Sequence, residues 1–225
     1  TADKLRAKIN LSNITVVNNG IDFSRFGACL SPAQNKTAKI ILSVGQLKQR
    51  KGYHISIPAV AVVKAKYPGL RYFIVGQKSS KIYWTQLQNL VQKYSLAKNV
   101  IFLSKISEAE LLALYQQADV FVLAPVNIKD NFEGFGLVYL EAGACGQPVV
   151  GTFDCGAQEA IRDGVTGILV PQNDVKKTAQ AILRLLDDSE LARRMGQAGR
   201  EKARTADWEH VIEKYVEIYK KELCK

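Results

Sequence analysis

The chain has 225 residues, 47% of them apolar and 23% charged, with 31 Lys and Arg against 21 Asp and Glu and a net charge of +10. That length and apolar content suit one sizeable α/β domain or two small ones with a buried core. No apolar run approaches the ~20 residues of a membrane span, and the charged stretch Thr1 to Asn10 lacks the apolar centre of a secretory signal.

The four cysteines, Cys29, Cys145, Cys155 and Cys224, form no C-x-x-C pair and no Cys/His ligand spacing. Reduced cysteines fit a cytosolic protein. His54 and His210 stand far apart without companion ligands and read as surface or packing residues. The positive charge admits three partners: nucleic acid, an anionic membrane surface, or an anionic small ligand. Basic residues cluster at Lys48–Lys51 and Arg193–Arg204 but do not interleave with aromatics as in a nucleic-acid groove. Most of them read as a solvated face.

Lys4 to Ile9 reads as a helical remnant and Ile14 to Val17 as a short strand. Asn18 to Asp22 reads as a turn and residues 23–38 as a polar loop. Lys39 to Val44 is a strand, Gly45 to Gly52 a basic loop, and Tyr53 to Tyr67 a helix with Ile57, Val60 and Ala61 on one side and Lys64 opposite. Pro58 is placed in its tolerant first turn. Leu70 to Val75 is a strand, Ile82 to Tyr94 a helix and Val100 to Leu103 a strand. Ser107 with Glu110 three residues on forms a capping box that opens a helix ending near Ala118. Strand Asp119 to Ala124 follows, then helix Leu137 to Ala144, stopped by Gly146 and Pro148. Strand Val149 to Phe153, a short helix at Ala157 to Arg162 and strand Gly167 to Val170 come next. Helices from Asp174, from Ser189 and from Asp207 complete the chain. Trp208, Val211, Ile212, Tyr215, Val216 and Tyr219 give the last one an apolar stripe at helical period. Strand and helix alternate at βαβ spacing, which predicts a Rossmann-like parallel sheet covered by helices on both faces.

The stretch Asn131 to Glu141, N-F-E-G-F-G-L-V-Y-L-E, falls where a strand hands over to a helix. Open α/β sheets bind ligands at such places. Gly134 and Gly136 let backbone N–H groups at the helix start approach an anion or a sugar ring. Glu133 in the loop and Glu141 in the helix are acceptors suited to vicinal hydroxyls.

This stretch resembles the E-x7-E signature of retaining glycosyltransferases with the GT-B architecture. It is similar to the family 4-like group, which includes sucrose, mannosyl and glycogen synthases. Val44-Gly45-Gln46-Leu47 with Lys51-Gly52 resembles the V-G-R-L…K-G loop. Ile74-Val75-Gly76, Pro148-Val149-Val150 and Glu159 to Pro171 resemble later segments, so the likeness runs over residues 16–223. Val17 to Asp22 matches V-x-N-G-I-D, which in that family marks the crossing from the N-terminal into the C-terminal domain. The resemblance therefore implies a crossing segment at 1–22, a nucleotide-sugar-binding domain at 23–205 and a crossover helix at 206–225. It further implies that the acceptor-binding N-terminal domain is missing from this chain.

The same resemblance assigns roles. Glu141 would bind the ribose hydroxyls and Glu133 the sugar near its anomeric carbon. Lys51 would hold the diphosphate, with Glu133 and Lys51 carrying the chemistry. Backbone N–H groups of Gly134, Phe135, Gly136, Leu137 and Val138 would face the phosphates. Gly45 and Gly76 would shape the neighbouring loops, and Lys105-Ile106 would hold the base through the main chain. The sequence has no D-x-D motif, so fixed positive charge and a helix N-terminus replace a metal, and no cofactor is implied. The family sets an arginine at position 46, where this chain has Gln46, which would bind the donor by donating hydrogen bonds but brings no charge; Lys48 or Arg50 could stand in. The expected donor is a nucleoside-diphosphate sugar, with UDP-glucose the first choice. The acceptor is a glycan or a lipid-linked molecule in polysaccharide synthesis. The expected location is cytoplasmic, with peripheral contact to the inner face of the plasma membrane as a further possibility. Other readings are a non-catalytic nucleotide-sugar-binding or regulatory module, a sugar-nucleotide epimerase, a nucleic-acid binder and a nicotinamide oxidoreductase. The E-x7-E spacing argues against the epimerase, and the missing G-x-G-x-x-G after the first strand against the oxidoreductase. Only net charge speaks for the nucleic-acid binder.

Overall fold

The computed structural model describes residues 14–28 and 38–223. The proposed helix Lys4 to Ile9 and Cys29, Pro32, Asn35, Lys36 and Cys224 lie outside them. Six parallel strands form one sheet in the order β3-β2-β1-β4-β5-β6. They are β1 Ile40–Val44, β2 Arg71–Val75, β3 Val100–Leu103, β4 Val120–Val122, β5 Val149–Thr152 and β6 Gly167–Val170. The order grows outward in both directions from the β1/β4 pair, so the direction of winding reverses there.

The helices are α1 Phe23–Gly27, α2 Tyr53–Lys66, α3 Lys81–Lys93, α4 Glu108–Gln117, α5 Leu137–Ala144, α6 Ala157–Ala160, α7 Val175–Asp187, α8 Ser189–Thr205 and α9 Trp208–Leu223. Most begin where a side chain can accept an orphan N–H. Ser80, Asp174 and Asp188 cap α3, α7 and α8. Ser107 and Glu110 make the expected capping box at α4. α7 packs on α2, and α8 packs on α5. These two helix layers cover the sheet, so β4 and β5 are buried along their whole length. α2 packs against both α7 and α3 and buries most of its first two turns, which is why it is apolar nearly all round.

Three local expectations are corrected. Ile14 to Val17 is not a strand; among the described residues 14–28, Ile21 forms a bridge, to Asp207. The stretch from residue 23 was expected to be loop, but it opens as α1 because the Asp22 carboxylate accepts from the Arg25 N–H at 3.0 Å. Pro58 sits in the second turn of α2, where it cannot donate to the carbonyl of His54.

A chain of aromatic rings runs through the core beneath the β4–α5 connection. Phe26 meets Tyr115 edge-on at 5.8 Å, Tyr115 stacks on Phe121 at 6.0 Å, and Phe121 meets Tyr139 edge-on at 5.7 Å. Each contact adds about 0.5–1.5 kcal/mol beyond the area it buries. The chain ties α1, α4, β4 and α5 into one rigid body under the site.

At the far end, Ile21 N–H donates to the Ala206 carbonyl and Trp208 N–H to the Ile21 carbonyl, so residues 20–23 run beside the start of α9. α9 buries Val211 but leaves Ile212, Tyr219 and Leu223 at 54%, 65% and 86% exposure. Among the described residues no helix is long and apolar enough to cross a membrane.

Candidate functional site

β1 and β4 are neighbours and parallel, so their following loops leave the same edge of the sheet side by side. After β1, a 3-10 turn spans Gln49–Lys51 and ends at Gly52, whose φ of 73° is left-handed. A Cβ at Gly52 would lie 1.6 Å from the Ala124 carbonyl oxygen. Only glycine permits both that backbone angle and that approach. Val126 N–H donates to the Arg50 carbonyl at 2.9 Å. The basic turn is thus clamped to the loop that leaves β4.

The clamp brings Lys51 and Arg50 onto Glu133. Lys51 Nζ lies 2.6 Å and Arg50 Nη1 2.9 Å from the same oxygen, Glu133 Oε2. Glu133 is 6% exposed and Lys51 9%. Burying these ions costs several kcal/mol each unless they are paired, and here each is. Two positive groups on one carboxylate leave the cluster with an excess of positive charge.

α5 begins a few residues further on. Its cap, Gly136, is left-handed at φ 82°, and no side chain bonds to the helix start. The first-turn N–H groups of Leu137 and Val138 therefore lack intrahelical acceptors and carry the positive end of the helix dipole. The side chains of Phe135, Leu137 and Val138 are half-buried against the core, as expected for the latter two. At Gly134 an added Cβ would meet nothing within 4 Å.

Glu141 lies in the second turn of α5 and accepts from the Tyr115 hydroxyl at 2.7 Å. Burial raises its carboxyl pKa; the Tyr115 hydrogen bond and the charges of Arg25 and Lys51 pull it back down. Burial and the Glu141 carboxylate together push the Tyr115 phenol well above its ordinary range, so it stays a donor at any physiological pH. Arg25 is held near by an ion pair to Glu108 at 2.6 Å.

The structure brings Lys51, Glu133, Gly134, Phe135, Gly136, Leu137, Val138 and Glu141 to the β1/β4 switch point. Gly45 stands at the end of β1, where the Tyr53 hydroxyl donates to its carbonyl at 2.7 Å. Gly76 ends β2, and a Cβ there would lie 1.9 Å from the Gly45 oxygen, so close packing of two loops explains this glycine. Gln46 and Lys48 are exposed. Lys105, left-handed at φ 59°, and the half-buried Ile106 follow β3. β3 is two strands from β1, or about 10 Å along the same edge. Sequence reasoning passed over Tyr115, Arg25 and Tyr53. They come from α4, α1 and α2, and nothing in their local sequence announces the contact. A groove of about 560 Å³ along α3, lined by Lys81, Ile82, Gln86 and Leu90, includes none of the predicted residues. Among the described residues no group of His, Cys, Asp or Glu could hold a metal ion.

A six-stranded parallel sheet in this order, with a buried cation–carboxylate cluster and an open helix start at its switch point, defines a Rossmann-like domain. The chain belongs to the family described as glycosyl transferases group 1, whose model matches residues 31–202. It is 32% identical over 210 residues to a glycogen synthase of Mycobacterium tuberculosis, covering 93% of this chain and 49% of that protein. It is 36% identical over 164 residues to a GDP-mannose-dependent alpha-(1-6)-phosphatidylinositol monomannoside mannosyltransferase of Mycolicibacterium smegmatis, covering 72% and 42%. Among solved structures it resembles the sucrose-phosphate synthase of Thermosynechococcus elongatus, with TM-score 0.82, 26% identity and coverage of 99% of this chain and 56% of that one. The fold is the expected half of a GT-B architecture. The chain spans about half the length of the curated relatives it matches.

Proposed function

We propose that this chain is the donor-binding half of a retaining glycosyltransferase that moves a hexose from a nucleoside-diphosphate sugar. The observation that carries the proposal is the convergence of Lys51, Arg50 and Glu133 at the sheet's switch point, beside the uncapped start of α5. The diphosphate lies against Lys51 and the first-turn N–H groups of α5. Fixed positive charge there stabilises the departing diphosphate as it takes the glycosidic electron pair. Glu133 then turns from the cations to the sugar hydroxyls. Glu141, kept oriented by Tyr115, accepts from the ribose diol. Lys105-Ile106, farther along the edge, borders the base.

No divalent ion is needed in this scheme, so EDTA leaves donor affinity unchanged. UDP-glucose is the first donor to try. GDP-mannose is the second, because one relative is named for it. The acceptor is a glycan or a lipid-linked molecule, bound mainly by an N-terminal domain that also covers the apolar stripe of α9. That domain brings the acceptor-side catalytic group, so this chain alone binds donor but transfers poorly.

A second reading is favoured by one residue. Gln46 is neutral and exposed where the family resemblance sets an arginine, which suits a non-catalytic binding or regulatory module on the same fold. Calorimetric titration of UDP-glucose, GDP-mannose and their diphosphates tests the binding proposal. Lys51→Ala weakens binding by about 1–3 kcal/mol if it holds the diphosphate. Absence of binding by every nucleotide contradicts both readings. Joining the chain to an acceptor-binding domain and assaying sugar transfer separates the enzyme from the module.

A further inference from the structure

We infer that Arg50 is the second diphosphate-binding cation of the site, the part that Gln46 cannot play; this rests on the donor-site reading above. The main chain of Arg50 is fixed from both sides. Its carbonyl accepts from Val126 N–H at 2.9 Å, and the 3-10 turn closes from Lys51 N–H to the Lys48 carbonyl at 2.9 Å. Its guanidinium reaches the same Glu133 oxygen as Lys51 does. Lys48 is exposed and pairs with no acid among the described residues, so position, not charge alone, selects Arg50.

The Arg50 side chain is 28% exposed against 11% for Lys51. Of the five N–H donors of a guanidinium, only one group is engaged by Glu133, and the planar fork matches phosphate geometry in a way an ammonium does not. Charge balance supports the role. The cluster holds two cations and one carboxylate, whereas the diphosphate of a sugar nucleotide carries one negative charge on each phosphoryl group. When the diphosphate arrives, both cations change partner from Glu133 to phosphate oxygens, and Glu133 accepts from neutral sugar hydroxyls. Each cation has an anionic partner at both ends of the exchange, and the Glu133 carboxylate is kept hydrogen-bonded by the sugar hydroxyls. With Lys51 alone, one phosphoryl charge would lack a fixed counter-charge.

The test compares the parent chain with Arg50→Gln, Arg50→Lys, Lys51→Ala and the double variant Gln46→Arg/Arg50→Gln. Each is titrated with UDP, GDP and ADP and with the matching nucleosides, after thermal melts confirm folding. Arg50→Gln is expected to lose tenfold or more in affinity for the best-bound diphosphate and to leave its nucleoside unchanged. Arg50→Lys keeps most of the affinity, and Gln46→Arg restores part of what Arg50→Gln lost. If Arg50→Gln binds the diphosphate as the parent does while Lys51→Ala loses tenfold, the Arg50 role is overturned and the site stands. Equal loss of nucleoside and diphosphate also overturns it, because that pattern marks a disturbance of the whole site and not the loss of a phosphate contact. If the parent binds none of the three diphosphates, the donor-site reading itself fails.

Discussion

Lys51 Nζ lies 2.6 Å from Glu133 Oε2, with both side chains nearly sealed from water, although 82 residues separate them in sequence. The contact exists because Gly52 lets the β1 turn press on Ala124 at the exit of β4. Removing one partner of a buried ion pair leaves an uncompensated charge. Lys51→Ala is therefore expected to cost about 2–3 kcal/mol of stability, at the low end because Arg50 still holds the carboxylate. The double variant Lys51→Ala/Glu133→Gln recovers part of that loss, as urea melts of the parent, the two single variants and the double variant would show.

On the proposed donor-site reading, Glu141 weighs on stability and on ribose binding with opposite signs. Its folded pKa lies above its unfolded value because burial disfavours the charge. A raised carboxyl pKa adds stability below the unfolded pKa and loses it as pH rises through the folded one. At pH 7 the buried carboxylate is therefore a net cost. Glu141→Gln should raise Tm at pH 7 and change it little at pH 4, while weakening selection for ribonucleotides over 2′-deoxyribonucleotides. A Tm gain of the same size at both pH values would show that titration is not the cause.

Two glycines in the motif behave differently. At Gly136 the left-handed φ and the Tyr139 ring 2.6 Å from an added Cβ make Gly136→Ala costly, by about 1–3 kcal/mol. At Gly134 the added Cβ meets open space, so Gly134→Ala melts within about 0.5 kcal/mol of the parent. If a ligand's phosphates approach the backbone at Gly134, that variant nevertheless binds donor several-fold more weakly. Comparing melt and titration for the two variants separates folding from binding.

Tyr115 is the support for Glu141. Tyr115→Phe keeps the ring stacked on Phe121 and removes only the hydroxyl that meets the carboxylate. The expected loss is about 1.5–3 kcal/mol in urea melts, the range for a hydrogen bond to a charged group. It should be smaller in a Glu141→Gln background, where the acceptor is neutral.

Most of the fold was legible because period and punctuation agree. β3, β6 and α5 fall where apolar runs and glycine stops put them, and the α4 capping box reads directly from Ser107 and Glu110. The errors lie where tertiary contacts decide. α1 forms over a polar stretch because Asp22 caps it and Cys145 Sγ reaches the Phe26 carbonyl. Ile14 to Val17 has strand composition but does not take strand conformation in the fold. The Glu133, Gly136 and Glu141 positions were legible because glycines and carboxylates cluster in one short segment. The partners of those carboxylates were not. Tyr115 is one aromatic among many until the helix carrying it packs on α5, and the choice of Arg50 over Lys48 depends on a turn whose geometry no local pattern encodes.

A crystal structure of this chain grown with UDP-glucose, or with whichever sugar nucleotide titrates best, tests the central claim most directly. The diphosphate should lie within hydrogen-bonding distance of Lys51 Nζ and the first turn of α5, with Glu133 off the lysine and Glu141 on the ribose hydroxyls. A nucleotide seated elsewhere on the sheet edge, with Lys51 Nζ still on Glu133 Oε2, would contradict it.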